Sequence, residues 1–200
     1  MKFIPSILLF FFLLSFSSCS TKTVEPELPD ANPPAPVIPE EPIPEKEKML
    51  WFDAEANFER FSKKENITYY LDLAKSTGFN KIVVDVRPVQ GDALFKSSYL
   101  TPLTDLAGIH IERDWDYLQF FIDEAHKREL KVTVSTTIFT AGLPSSKNGM
   151  AYRDDTWNGK TCLEYTKDQG LIDIKNDKTK VSAFLNPVLP EVQDFCLNFI

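Results

Sequence analysis

A chain of 200 residues with a formal net charge of −7 and no basic tract lacks the positive footprint that phosphate binding needs, so nucleic acid is not expected as a partner. Two histidines and three cysteines, with no cluster at ligand spacing, give no basis for a zinc site, and no metal or cofactor is expected. Eight of the 14 prolines crowd into residues 20–48, which leaves residues 49–200 as the part able to bury a core.

Lys2 precedes an apolar run from Ile7 to Phe16, too short to span a bilayer and followed by small residues, the layout of a secretory signal peptide. Ser17-Ser18-Cys19 resembles a bacterial lipobox, with Phe16 where that pattern prefers Leu; the alternative is an ordinary signal peptide with an incidental cysteine. Residues 1–18 are therefore expected to be a lipoprotein signal peptide, with Cys19 the lipidation site. Residues 19–48 hold seven acids, three lysines and no aromatic ring, and read as a lipid-attached, disordered Pro/Glu-rich tether. The expected location is the bacterial cell envelope, with the protein anchored to a membrane on its periplasmic or surface face.

Met49 to Ala56 alternates Leu50, Phe52 and Ala54 against Trp51, Asp53 and Glu55, which predicts a first strand ending in two carboxylates. Ser62 and Glu65 have capping-box spacing, Ile67, Tyr70, Leu71 and Ala74 recur at helical spacing, and Gly78 ends that helix. Ile82, Val83, Val84 and Val86 then predict a buried parallel strand, interrupted by Asp85 and Arg87 on one face. A charge on such a strand is costly unless paired or used, and pairing with Arg87 would keep Asp85 ionised. Pro88 ends the strand, and Gln90, Gly91 and Asp92 open a polar loop that runs through Gly108.

Asp114 is expected to cap a second helix carrying Trp115, Leu118, Phe121, Ile122 and Ala125, with His126 near its negative pole. Lys131 to Phe139 predicts a third strand, with Val132 and Val134 on one face and Thr133, Ser135 and Thr137 on the other. Polar groups on one face of all three strands favour the inside of a TIM-type barrel over a doubly wound sheet. Thr140 to Pro187 reads as a long irregular loop in which Trp157, Arg153, Asp154, Asp155 and Asn158 could contact sugars. Pro190 opens a last helix with Val192, Phe195, Cys196 and Phe199 on one side, and spacing leaves open whether Cys162 and Cys196 pair.

Three segments, VDVRPVQGDALFKSS (84–98), DWDYLQFFIDEAHKRELKV (114–132) and LNPVLPEVQDFCLNFI (185–200), resemble the glycosyl-hydrolase-like 10 family of bacterial secreted proteins and lipoproteins. The resemblance implies that residues 49–200 form the N-terminal portion of a TIM-type (β/α)8 barrel acting on O-glycosidic bonds of a polysaccharide or peptidoglycan-type glycan. Arg87 and Asp92 match the family's signature after the second strand. Glycoside hydrolysis takes two carboxyl groups; Asp85 and Glu55 are the catalytic candidates, and Asp53, Arg87, Asp92, Trp157 and Asn186 the substrate-binding ones. The alternative is a non-catalytic glycan-binding lipoprotein. Eight strands close such a barrel, and three are visible here, so catalysis is expected of a longer protein and not of these residues alone.

Overall fold

The computed structural model describes residues 46–153 and 155–199. The expected signal peptide, Cys19, most of the tether and Asp154 lie outside the described residues. No helix among the described residues is long and apolar enough to cross a membrane.

Three strands, β1 (Met49–Phe52), β2 (Lys81–Asp85) and β5 (Lys131–Ser135), form a parallel sheet in the order β1-β2-β5. Helix α1 (Lys64–Ser76) connects the first two, and α2 (Tyr117–His126) precedes the third. The register sets Phe52 opposite Val84, Val84 opposite Val134, and Asp85 opposite Ser135. The alternation read in the sequence therefore places Phe52, Ile82, Val84 and Val86 on one face, where Ile67 and Leu71 of α1 and Phe121 and Ala125 of α2 cover them. Phe52 meets Phe121 edge-on at 5.1 Å and Phe61 at 5.3 Å. Trp51, on the opposite face, is 59% exposed. The described residues thus form a mixed α/β fold whose core lies between a parallel sheet and helices on one face.

The strands are shorter than expected, because β1 ends at Phe52 before a turn in which Asp53 Oδ1 accepts the Ala56 amide at 2.8 Å. Beyond Ser135 the chain bends so that the Thr137 amide donates to the Arg87 carbonyl at 3.3 Å. Neither expected helix start holds. Ser62 ends a 3-10 turn, Arg60–Ser62, and spends its hydroxyl on the Glu59 carbonyl at 2.6 Å, so no capping box forms with Glu65. Asp116, not Asp114, caps α2: one carboxylate oxygen accepts the Gln119 amide and the other the Lys96 amide, each at 2.9 Å. Gly78 does end α1, with φ +86°, the Gly78 amide on the Lys75 carbonyl and the Phe79 amide on that of Ala74. Glu129 takes the same left-handed conformation after α2, at φ +55°.

The loops contain structure that the sequence did not announce. A short hairpin, β3 (Asp105–Leu106) and β4 (Ile109–His110), turns on Ala107 and Gly108, both with positive φ. The stretch expected to be irregular holds α3 (Met150–Arg153) and an antiparallel hairpin of β6 (Leu163–Thr166) and β7 (Gly170–Asp173). Helix α4 (Pro190–Phe199) buries Val192, Cys196 and Phe199 in a second apolar cluster with Ala93, Ala141 and Leu185. At the opposite end of the sheet Glu47 bridges Lys81 at 3.0 Å and Lys131 at 3.3 Å, and Asn80 Oδ1 accepts the Lys48 amide, so the chain joins β1 on the face away from the strand ends that carry Asp53 and Asp85.

Candidate active site

Parallel strands end together, and the residues at those ends form the site. Asp53 follows β1 directly, Asp85 closes β2 and Ser135 closes β5. Main-chain N–H groups of Ala54, Arg87 and Val86 near the Asp85 carboxylate favour its charged form. Burial opposes them, and with the nearby charge of Asp53 it pushes the Asp85 carboxyl above the usual carboxylate range. Glu55 is also pushed up, first by desolvation against its loop and then by the charges of Asp53 and Asp85. Three carboxyl groups therefore share one electrostatic environment at the C-terminal edge of the sheet. Beside Glu55 a depression of about 420 Å³ opens, bordered also by Arg60, Lys63 and Asn66.

Arg87 does not pair with Asp85. After Asp85 the chain turns into Pro88, and the Arg87 side chain runs instead under the segment that follows β5, where it is fully buried. Its guanidinium donates to the carbonyls of Thr137, Ile138 (3.1 Å) and Thr140 (2.6 Å) and to Thr140 Oγ1 (3.2 Å), and lies 4.9 Å over the Phe199 ring. Desolvation lowers its pKa to about 10, which leaves it cationic at neutral pH. Arg87 thus holds loops together instead of presenting its guanidinium to a ligand, and it does not pair with Asp85 as expected, so the charged form of that carboxyl is favoured by neighbouring main-chain N–H groups and not by the Arg87 guanidinium.

Glycines complete the same junction. A Cβ on Gly91 (φ +85°) would lie 2.6 Å from the Thr140 carbonyl oxygen, and one on Gly149 would lie 2.7 Å from that of Gln90. Ser182 Oγ adds a bond to the Val89 carbonyl at 2.8 Å. The loops after β2 and β5 are therefore packed backbone to backbone.

The remaining expected site residues fall elsewhere. Asp92 is buried and bound through both carboxylate oxygens by Arg153, with Arg153 to Oδ1 at 2.7 Å, and Gln90 Nε2 donates to Oδ2 at 3.1 Å. Trp157 packs edge-on against Phe195 at 4.7 Å and borders, with Asp92, a cavity separate from the carboxylates. Asn186 Oδ1 accepts the Val188 amide at 3.2 Å, a local turn leading into α4. Asn158 donates to Asp155 and accepts from Lys175. Cys162 and Cys196 are separate free thiols, and among the described residues no group of histidine, cysteine or carboxylate is placed to hold a metal ion. Sequence reasoning missed Thr137 and Thr140 as the acceptors of Arg87, and Arg153 as the partner of Asp92 across 61 residues; no spacing rule links such positions.

The chain is 32% identical over 163 residues to an S-layer-related protein of Niallia circulans, which covers 78% of this chain and 10% of that protein. It is 29% identical over 132 residues to the glycosyl hydrolase DigH of Escherichia coli (strain K12), covering 65% of this chain and 29% of DigH. It thus spans less than a third of the length of either relative. A family model described as glycosyl hydrolase-like 10 matches residues 47–200, which takes in all three parallel strands, the carboxylates at their ends and the Arg87 junction. The chain belongs to the glycosyl hydrolase-like 10 family.

Proposed function

We propose that the full-length protein is a glycoside hydrolase that cleaves O-glycosidic bonds of a polysaccharide or cell-wall glycan within a TIM-type barrel, of which the sheet β1-β2-β5 forms part. The observation that carries this reading is the group of three carboxyls, Asp53, Glu55 and Asp85, at the C-terminal ends of parallel strands, with Glu55 and Asp85 pushed up in pKa by burial and then by neighbouring carboxylate charge. Enzymes of the barrel architecture place their chemistry at that end. Coverage of the sheet by helices on one face, with Trp51 exposed on the other, supports the barrel.

Hydrolysis through an oxocarbenium-like transition state takes one carboxyl that donates a proton to the departing oxygen and one carboxylate that stabilises or attacks the sugar carbon. Glu55 suits the first role, since desolvation and then the charges of Asp53 and Asp85 favour its protonated form. Asp85 suits the second, since it closes β2 at the strand end and neighbouring main-chain N–H groups favour its charged form against burial. Asp53 is then left to bind substrate hydroxyls. Arg87 acts from behind, by holding the segment after β5 against the loop that follows Asp85.

The test is release of reducing ends from peptidoglycan glycan strands and from a panel of polysaccharides by the purified full-length protein. Asp85→Asn and Glu55→Gln should each lower turnover by about a hundredfold or more. Turnover at the unmodified rate in both variants would sink the assignment. Sugar binding without hydrolysis in the unmodified full-length protein would favour a glycan-binding lipoprotein instead. We also propose that Cys19 carries a lipid that anchors the protein in the cell envelope. The resemblance of Ser17-Ser18-Cys19 to a lipobox supports this, and loss of fatty-acid labelling in Cys19→Ala tests it.

A further inference from the structure

The loop after β2 and the segment around α3 enclose a cavity of about 150 Å³, apart from the carboxylate group. Two aromatic rings border it, Tyr99 and Trp157, together with the buried Asp92 and its partner Arg153. We propose that this cavity is a subsite for a single neutral pyranose residue of the glycan, with Tyr99 and Trp157 stacking on the ring and the exposed edge of Arg153, held by Asp92, meeting its hydroxyls. The assignment rests on the glycan reading above and adds a place where the chain is held away from the bond that breaks.

Three features carry it. Tyr99 is 53% exposed although its loop is firmly built: Ser97 Oγ accepts the amides of Tyr99 and Leu100 at 3.1 and 3.2 Å, Leu100 is buried, and the Ala93 amide donates to the Thr101 carbonyl at 2.9 Å. An aromatic ring held outward on a fixed loop offers a flat apolar face at little ordering cost, which suits the C–H face of a sugar. Trp157 is fixed in the same way from behind, by its edge contact with Phe195. Between them a carboxylate only 3% exposed is paired with a guanidinium that keeps 35% of its surface exposed. The carboxylate offsets the guanidinium charge, which suits a neutral ligand, and it is itself satisfied by Arg153 and Gln90, so the polar surface the site offers to hydroxyls is the exposed edge of Arg153. The volume is well below the roughly 300 Å³ at which pockets for drug-sized ligands begin, which fits one ring and not an extended chain.

Calorimetric titration of the full-length protein with chitin, cellulose and xylan tetramers and with soluble peptidoglycan strands tests the proposal. Tyr99→Ala, at an exposed position that folding does not depend on, should weaken binding of the recognised glycan by about tenfold, equivalent to about 1.4 kcal/mol. Trp157→Leu, which keeps an apolar contact with Phe195, should weaken binding by a similar factor. Binding by either variant within about twofold of the unmodified protein would overturn the subsite while leaving the glycan reading standing. Absence of binding by the unmodified protein to every one of these glycans would overturn both.

Discussion

Arg87→Met removes the one guanidinium beneath the loops that carry the site and keeps most of its apolar stem. In the native protein three main-chain carbonyls, of Thr137, Ile138 and Thr140, accept from it in the interior. A buried acceptor that loses its donor costs about 1–3 kcal/mol. The Thr137 carbonyl retains a second donor in Thr140 Oγ1 at 3.2 Å, so the lower end of that range applies and the three together lose about 3 kcal/mol. Loss of the contact with the Phe199 ring adds about 1 kcal/mol, and release of a desolvated cation returns a similar amount. The net expectation is a loss of about 3 kcal/mol, concentrated where β2 and β5 give way to loops. Hydrogen exchange of the full-length protein reads this locally, through the amides of Ala141 and Ala183, which bond to the carbonyls of Ala183 and Gly142. Both should exchange about a hundredfold faster in Arg87→Met, while the amides of α1 stay unchanged. Arg87→Lys should recover only a small part, since an ammonium cannot span three carbonyls. Exchange at Ala141 and Ala183 within about threefold of the unmodified protein would refute the assignment of Arg87 as the element that binds these loops.

Further outcomes follow from the same geometry. The folded protein holds the Asp85 proton more tightly than the unfolded chain does, so the associated stabilisation is complete below the unfolded pKa and is lost as pH rises through the raised folded one. Asp85→Asn does not titrate, so its melting temperature should gain on that of the unmodified protein as pH rises from below the ordinary aspartate range; a constant difference would show that burial does not perturb this carboxyl. Gly91→Ala should cost about 1–3 kcal/mol in urea unfolding, since the new methyl meets the Thr140 carbonyl oxygen and φ is +85°. Glu129→Gly should stabilise by about 1 kcal/mol by relieving a left-handed conformation. The exposed contact of Glu129 with Lys75, at 3.4 Å, offsets little of this, and an unchanged melting temperature would count against strain at that position.

The sheet was legible because its signal is periodic. Alternation in Leu50–Ala54 and Ile82–Val86 fixed which face is buried, and the carboxylates at positions 53, 55 and 85 followed from it. Helix starts were less legible, because a capping pattern states which hydroxyl or carboxylate can bond but not which competing carbonyl is nearer. Ser62 found Glu59, and Asp116 outcompeted Asp114 because its second oxygen also reaches the Lys96 amide. Arg87 was misread for a related reason. Spacing of two puts it on the face of Asp85 only while the strand lasts, and Pro88 ends the strand at once. The pairing of Asp92 with Arg153 and the hairpin β6–β7 depend on where the long loop folds back, which no local pattern encodes.

The glycines at the loop junction bear on how such a protein can change. Gly91, Gly142 and Gly149 bring backbones together with no side chain between them, so the base of each loop tolerates almost no substitution. The hairpin β6–β7 stands beyond that base, with Leu163, Tyr165 and Leu171 largely exposed and a tight turn from Thr166 to Gly170 at its tip. Insertions or exchanged sequences at residues 167–169 would lengthen an arm without moving its hinge. Variation can therefore accumulate at the tip while the carboxylates below keep their geometry, which makes that arm the natural place to graft a new recognition segment.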